Sequence, residues 1–245
     1  MKRTVIISKP YEDSATNKNT TGNSYRNLRI HSLPGLHEHV SIMLKKWLPD
    51  GATILELGSG SGAMCARLSN MHYQLTGTDY VSSNFKLHGE VSFYKVDLNS
   101  PFSLDIEGEF DCVLGMEIIE HLENPREFLR NAMELCKKNG LIVLTTPNIS
   151  SPASKALFCR FGTFQWFDDS DYENQGHIRP IAPWELNRIF DELSLEKHFI
   201  GSFGNPYRVF RKWPRMNLFS RFISMISDTS GTLSGEILIM AGRKR

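Results

Sequence analysis

The stretch Ile54-Leu-Glu-Leu-Gly-Ser-Gly-Ser-Gly62 constrains this chain more than any other. Three glycines at alternate positions follow a short apolar run. They let the backbone leave a strand in a tight turn and let a ligand lie against bare main chain. The next apolar run closes in Thr-Gly-Thr-Asp79, 21 residues past Gly58. A carboxylate at that separation, at the tip of the following strand, is placed to accept from both hydroxyls of a ribose. The pattern specifies a nucleoside-cofactor site on a strand–turn–helix–strand unit, and hence an α/β fold.

Two cofactors satisfy the glycines. Gly58-Ser59-Gly60-Ser61-Gly62-Ala63 also fits the dinucleotide pattern G-x-G-x-x-G/A, which keeps an NAD(P)-dependent oxidoreductase as a rival. Glu56 weighs against it, because a carboxylate beside the loop would repel a pyrophosphate. S-Adenosylmethionine has no phosphate and carries a sulfonium and an ammonium, so the same anion is favourable. Asp97, in Tyr-Lys-Val-Asp97-Leu98, ends a third apolar run and can accept from an adenine amino group. Glu56, Asp79 and Asp97 then close three successive strands around methionine, ribose and adenine. The cofactor set read from these positions is Glu56, Gly58, Ser59, Gly60, Gly62, Asp79, Tyr80, Asp97, Leu98 and Met116.

At these residues the chain resembles the class I S-adenosylmethionine-dependent methyltransferases, whose motif reads [DE]-x-G-x-G-x-G. The resemblance implies a Rossmann-like, doubly wound, mostly parallel seven-stranded sheet with helices on both faces. A dehydrogenase would also need a separate catalytic domain, for which the chain after its fifth strand has little room. A methyltransferase-like module without catalysis is the non-enzymatic rival; the intact loop and the three strand-end acids speak against it.

Composition sets the outer bounds. The chain has 245 residues, 22% charged and 40% hydrophobic, which suits one globular domain with appendages. A net charge of +1 gives no global pull toward nucleic acid, and no nucleic-acid-binding module is recognisable. No run approaches 18 apolar residues, so no membrane-spanning helix is expected. The start, Met-Lys-Arg-Thr-Val-Ile-Ile, is too briefly apolar for a secretory signal. Cys65, Cys112, Cys136 and Cys159 are scattered without a C-x-x-C pair, which fits a reduced cytoplasmic protein. The oligomeric state leaves no sequence signature.

Hydrophobic periodicity orders the chain. Residues 1–34, polar between 10 and 27, read as a flexible lead to a single domain over 35–245. Its cofactor half is 35–147, and its acceptor-side insertions are 148–180 and 204–232. A helix over 36–48 precedes strands at 53–57, 73–79, 91–96, 110–116 and 141–146. Helices are expected over 61–70, briefly within 81–89, from Pro125 to about Lys138, and from Trp184 to Leu193. Later strands are expected at 196–203 and 235–241.

Ligands of open α/β sheets lie beyond the carboxyl ends of the strands, where 110–116 runs into Glu117-Ile-Ile-Glu120-His121. If this segment turns helically, Glu117, Glu120 and His121 share one face. Two carboxylates and an imidazole can hold a cation, oxygen ligands favouring magnesium or manganese and imidazole favouring zinc. The stretch 110–125 resembles the ubiquinone-biosynthesis O-methyltransferases. The element E-x-x-E-H also occurs in small-RNA 2′-O-methyltransferases, where a later His completes a metal site. That resemblance implies His177 as the fourth ligand after Glu117, Glu120 and His121. A hydroxyl acceptor needs a base or a metal to lower its pKa, and His121 or a Glu117/His121 metal site can do either, which makes these two the catalytic candidates. Many relatives carry E-x-x-x-H here without any metal. In the plain alternatives Glu120 opens the next helix, His121 is a structural hydrogen-bonder, and His177 caps the turn at Pro180. Arg179 faces either a substrate carboxylate or a neighbouring acid.

Two segments are rich in aromatics, and the first of them, 148–178, has no clear periodicity. Phe158, Phe161, Phe164, Trp166 and Phe167 are placed to wall an acceptor pocket, or to pack a surface insertion. Residues 207–226 interleave aromatics with arginines, which suits either peripheral contact with a membrane, anionic lipid or glycan, or a helix packed on the sheet. The function expected is methyl transfer, most naturally to oxygen of a small molecule, sugar or lipid-linked intermediate.

Overall fold

A computed structural model describes residues 24–209, 214–227 and 233–245. Seven strands form one sheet: β3 (Thr53–Leu57), β4 (Gln74–Asp79), β5 (Ser92–Lys95), β6 (Phe110–Met116), β7 (Cys136–Pro147), β8 (Glu196–Phe203) and β9 (Ile237–Arg243). Their order is β5-β4-β3-β6-β7-β9-β8. The first five run parallel, whereas β9 is antiparallel to both β7 and β8. The order reverses beside β3, and there the carboxyl ends of β3 and β6 open the crevice that α/β sheets use for ligands.

Side chains of successive strand residues point to opposite faces, and here both faces are apolar. Ile54, Leu141, Val143, Ile237 and Ile239 join the core under α1 (Leu36–Trp47) and α2 (Ala63–Ser69). Leu55, Leu57, Ile142, Leu144 and Leu238 join a second core under α3 (Pro125–Glu134) and α6 (Pro183–Glu192). The near-continuous apolar runs of β3, β6 and β7 are the sequence trace of this double burial.

Four departures from the sequence reading matter. Residues 24–34, placed in a flexible lead, contain a two-stranded ribbon of β1 (Ser24–Tyr25) and β2 (Leu28–Arg29). Its two turn residues, Arg26 and Asn27, have φ of 51° and 64°, as a tight hairpin with positive φ at both positions requires. Leu28 and Ile30 are buried, the Arg67 guanidinium lies over the Tyr25 ring, and Ser61 donates to the Arg29 carbonyl. Residues 1–23 lie outside the described residues.

α3 stops at Glu134, not near Lys138. Cys136 already pairs with Phe110, and the Lys137 ammonium sits 3.0 Å from Asp111. Asn139, at φ 65°, and Gly140 therefore lie inside β7, where its register against β6 shifts. Within 81–89 only a single 3-10 turn forms, over Ser82–Asn84.

The aperiodic stretch 148–178 holds two helices, α4 (Pro152–Phe161) and α5 (Asp169–Gln175). Ser151 caps α4 by accepting from Ser154 N, with Pro152 in its first turn. Asp168 and Asp171 form a reciprocal capping box on α5. Finally α7 (Pro214–Ile226) packs on α4, where Ala156, Leu157, Met216 and Ile223 make a small satellite core. Phe210, Arg211, Lys212 and Trp213 of the basic aromatic segment, and residues 228–232 of the second insertion, lie outside the described residues. Among the described residues no helix is long and apolar enough to cross a membrane.

Candidate functional site

The loop after β3 is a backbone structure. Gly58, Gly60 and Gly62 have φ of 71°, 51° and 87°, values that L side chains seldom adopt. Their surroundings differ. A Cβ on Gly58 would lie 2.6 Å from Ile118 Cδ1, and one on Gly62 would lie 2.9 Å from Phe85. A Cβ on Gly60 would meet nothing within 4 Å. Gly58 and Gly62 let the protein pack against itself, while Gly60 leaves open space over bare main chain.

Asp79, at the tip of β4, braces this loop from across the strand. Its carboxylate accepts from Gly60 N and from Val81 N, each at 2.9 Å. Burial pushes its carboxyl above the usual range despite these bonds. Ser59 is tied down as well, since its N and Oγ both donate to the Thr78 carbonyl. Glu56 is 4% exposed, and burial pushes its carboxyl up to about 7. One of its oxygens accepts from Cys65 Sγ on α2. A carboxyl held near neutrality is poised to ionise when a cation arrives.

Tyr80, about half exposed, follows Asp79 at the loop's rim. Asp97 is exposed just beyond β5 and accepts from Asn99 N at 2.9 Å, with Leu98 and Met116 buried beside it in sequence and at the end of β6. The structure thus brings Glu56, Ser59, the glycines, Asp79 and Tyr80 to one crevice, with Asp97 at the next strand tip. Sequence reasoning missed the ribbon's share in it: the Arg29 carbonyl grips Ser61 inside the glycine loop. The Arg26-Asn27 turn between short apolar residues is the signal that would have revealed it.

Beyond β6 the predicted common face does not form. Glu117 has φ 49°, and a single 3-10 turn over Ile119–His121 follows. That kink turns Glu117 toward β7, where its Oε1 accepts from Thr145 Oγ1 at 2.9 Å, and burial pushes its carboxyl up to about 7. Of the four residues expected as ligands, three come together and Glu117 is not among them. Glu120, His121 and His177 each bring a ligand atom within 4.8 Å of the others.

The three are built in. Glu120 is fully buried, its Oε2 accepting from Thr146 Oγ1 at 3.0 Å, and its Oε1 has no hydrogen-bond partner among the described residues. It does not open α3, whose cap is Asn124. His121 Nδ1 lies 3.1 Å from the Gly176 carbonyl, and His177 Nδ1 lies 2.6 Å from the Trp166 carbonyl. A carbonyl only accepts, so both Nδ1 atoms carry protons and both Nε2 atoms keep a lone pair. The rings meet edge to face at 4.8 Å. Burial holds His121 down to about 4 and lowers His177 as well, so both are neutral. His177 does not cap the Pro180 turn. Arg179 pairs with the acid Glu185 and donates to the Glu123 carbonyl. Thr145 and Thr146, which hold the two carboxylates, were hidden in what read as a plain apolar strand.

A family model described as a methyltransferase domain matches residues 31–198. A ubiquinone biosynthesis O-methyltransferase of Bradyrhizobium diazoefficiens is 35% identical over 103 residues, 40% of this chain and 41% of that protein. Its counterpart in Paramagnetospirillum magneticum is 34% identical over 137 residues, 54% of this chain and 55% of that protein. The chain therefore spans about half the length of these curated relatives. Among solved structures, a SAM-dependent methyltransferase from Archaeoglobus fulgidus superposes with TM-score 0.57 at 19% identity, covering 85% of this chain and 94% of that one. That likeness is one of fold, and it matches the seven-stranded sheet described above.

Proposed function

This chain belongs to the methyltransferase domain family, of the class I S-adenosylmethionine-dependent type, and on that premise we propose that it methylates oxygen on a small organic acceptor. The observation that carries the reading is the loop itself. Glu56 stands buried on one side, Asp79 braces the other, and open space lies over Gly60. A pyrophosphate would meet a carboxyl there, whereas an ammonium or sulfonium would find an anion to pair with.

Bound S-adenosylmethionine supplies a methyl carbon already activated by its sulfonium leaving group. The chain's own residues have positioning and proton removal left to do. Glu56 offers charge to the methionine end, the remaining lone pairs of Asp79 suit ribose hydroxyls, and Asp97 suits the adenine amino group. Glu117, kinked toward Thr145, and His121 stand at the tip of β6, where the acceptor's hydroxyl would meet the methyl group.

A second reading is favoured by the unpaired Glu120 Oε1 and the two free Nε2 lone pairs: a divalent cation held by Glu120, His121 and His177. The backbone carbonyls on the far nitrogens are the arrangement that metal-binding histidines use. Such a cation lowers the pKa of a bound hydroxyl. An imidazole held near pKa 4 is a weak general base at neutral pH, which favours ligation over direct proton removal by His121.

A lipid-linked acceptor is supported by α7, which exposes Leu218, Phe222, Met225 and Ile226, carries Arg215 and Arg221, and contains no acid. Cosedimentation with anionic vesicles tests this contact. A cytoplasmic setting belongs to the same reading and is supported by four free cysteines.

Calorimetry with S-adenosylhomocysteine and with NAD tests the central claim. The expected outcome is binding of the first alone; binding of NAD alone would overturn it.

A further inference from the structure

Ile118 stands where the glycine loop meets the turn beyond β6, and its forked side chain rests on two glycines. Cδ1 and Cγ1 lie 2.6 and 2.7 Å from the point a Cβ on Gly58 would occupy, and Cγ2 lies 3.1 Å from the same point on Gly115. Both positions therefore have to stay bare, or nearly so, for this side chain to seat. A β-branched residue is stiff about χ1, so the two arms fix the backbone at 118 against the loop after β3 and against β6 together. The carbonyl of the same residue accepts from His121 N at 3.0 Å, the bond that closes the 3-10 turn over Ile119–His121. Glycine loop and imidazole are thus joined through one residue, by its side chain on one side and its carbonyl on the other.

The other supports of the turn are of a different kind. Glu117, at φ 49°, holds a conformation that persists only where neighbours impose it. Here Glu117 N donates to the Thr145 carbonyl and to Thr145 Oγ1, which ties the start of the turn to β7. At the far end, Ile178 N and Arg179 N donate to the Glu120 carbonyl at 3.1 and 3.0 Å. These are directional bonds to fixed partners. The seat of Ile118 on Gly58 is a packing contact, and it follows the loop when the loop moves. Two residues further on, Gly60 has the open space that a ligand would fill. A ligand shifts a conformation only by its difference in affinity for the two states, and the Gly58–Ile118 contact supplies a route for that difference.

We propose that Ile118 is a positioning residue that passes occupancy of the glycine loop to the His121 turn, so that the acceptor end takes its working shape after the cofactor is seated and the acceptor binds second. A misplacement of about 1 Å at a reacting centre can cost ~10²-fold in rate, which is what such a coupling prevents. The order of binding rests on the reading of His121 as part of the acceptor end; the coupling of loop to turn does not.

Hydrogen exchange at the His121 amide, whose acceptor is the Ile118 carbonyl, reports on the turn directly and needs no methyl acceptor. In the wild-type chain, with chelator present throughout, saturating S-adenosylhomocysteine should slow this exchange ~10-fold or more. In Ile118→Ala, brought to its own saturation, the slowing at His121 should fall below about twofold. The slowing at Val113 in β6, which reports stabilisation of the whole fold by ligand, should remain. Ile118→Val removes only Cδ1, the atom nearest Gly58, so it should keep part of the slowing at His121, and it carries the test alone should the alanine variant fail to fold. No slowing at His121 in the wild type would overturn the proposal. Wild-type slowing in either variant would do so as well, because the ligand would then cover the turn by itself. Loss of the slowing at Val113 together with that at His121 would mark Ile118 as general support for the fold and overturn it too. A wild-type chain that does not bind S-adenosylhomocysteine at all would sink the cofactor reading, and the proposal with it.

Discussion

The two ends of the crevice are made in different ways. The end proposed for the cofactor, from Glu56 to Asp97, comes from three consecutive strand tips, and its polar atoms are largely backbone amides and carboxylates bonded to them. The end proposed for the acceptor gathers side chains from the tip of β6, the end of β7, the 162–168 turn and the stretch after α5. A site made of main chain is specified by glycine and tolerates little else. One made of side chains from distant segments is adjustable, because each contributor can change without unmaking the others. The arrangement suits a fixed donor and a variable acceptor.

The contrast can be broken first where the two ends touch. Gly58→Val would drive a Cβ into Ile118 at a positive φ, so a loss of several kcal/mol, ~3–5, is expected in chemical denaturation. Gly60→Val, with open space around it, should fold at a cost of ~1–3 kcal/mol from φ alone yet lose S-adenosylhomocysteine binding. Equal damage from both would mean that Gly60 does not face the cofactor.

At the acceptor end, His121→Ala is expected to slow methyl transfer ~10²–10⁴-fold while S-adenosylhomocysteine affinity stays within about twofold. Exhaustive chelation should do the same if a cation is used, and magnesium, manganese or zinc should restore the rate. Full activity after chelation with His121→Ala still inactive would remove the cation and leave the imidazole. Full activity in both would remove this cluster from the reaction.

Asp79→Ala should weaken S-adenosylmethionine by at least ~10–100-fold, the worth of one charge-assisted hydrogen bond, and should also lower the melting temperature because Gly60 N and Val81 N lose their acceptor. An unchanged affinity by calorimetry would detach Asp79 from the ribose.

The smallest expected signal is a fraction of a proton. Free Glu56 titrates at about 7, facing Cys65 on α2 and Asp79 on β4, and Cys65 stays a neutral thiol because burial raises it. Its folded pKa exceeds its unfolded one, so its contribution to stability is present below about 4.5 and is lost as pH rises through 7. Binding of a cationic ligand should reverse the preference and release about half a proton or more at pH 6.5. Calorimetry in buffers of different ionisation enthalpy measures it, and Glu56→Gln should abolish it.

The same contrast explains what could be read from the amino acids. Strands β3, β6 and β7 are legible because burial on both faces leaves near-continuous apolar runs, and the glycine loop because backbone geometry demands glycine. The kink at Glu117 is not legible: a positive φ at a glutamate is set by its bond to Thr145, 28 residues away. The meeting of His121 with His177 depends on where α5 ends, and α5 has no apolar stripe to announce it. Its capping box, Asp168-x-x-Asp171, and the Ser151-Pro152 start of α4 were present as local signals without periodicity to draw attention to them.

The position of β9 bears on how the chain is made. The ribosome delivers β8 before β9, yet β9 must end between β7 and β8. Until residues 237–243 emerge, β7 presents an open hydrogen-bonding edge beside a finished parallel half, and β8 has no partner in the sheet. Synthesis therefore passes through an interval with a long apolar edge uncovered, the kind of edge that pairs with other chains. The interval closes when β9 pairs with β7 on one side and with β8 on the other, so β8 joins the sheet only through the strand made after it.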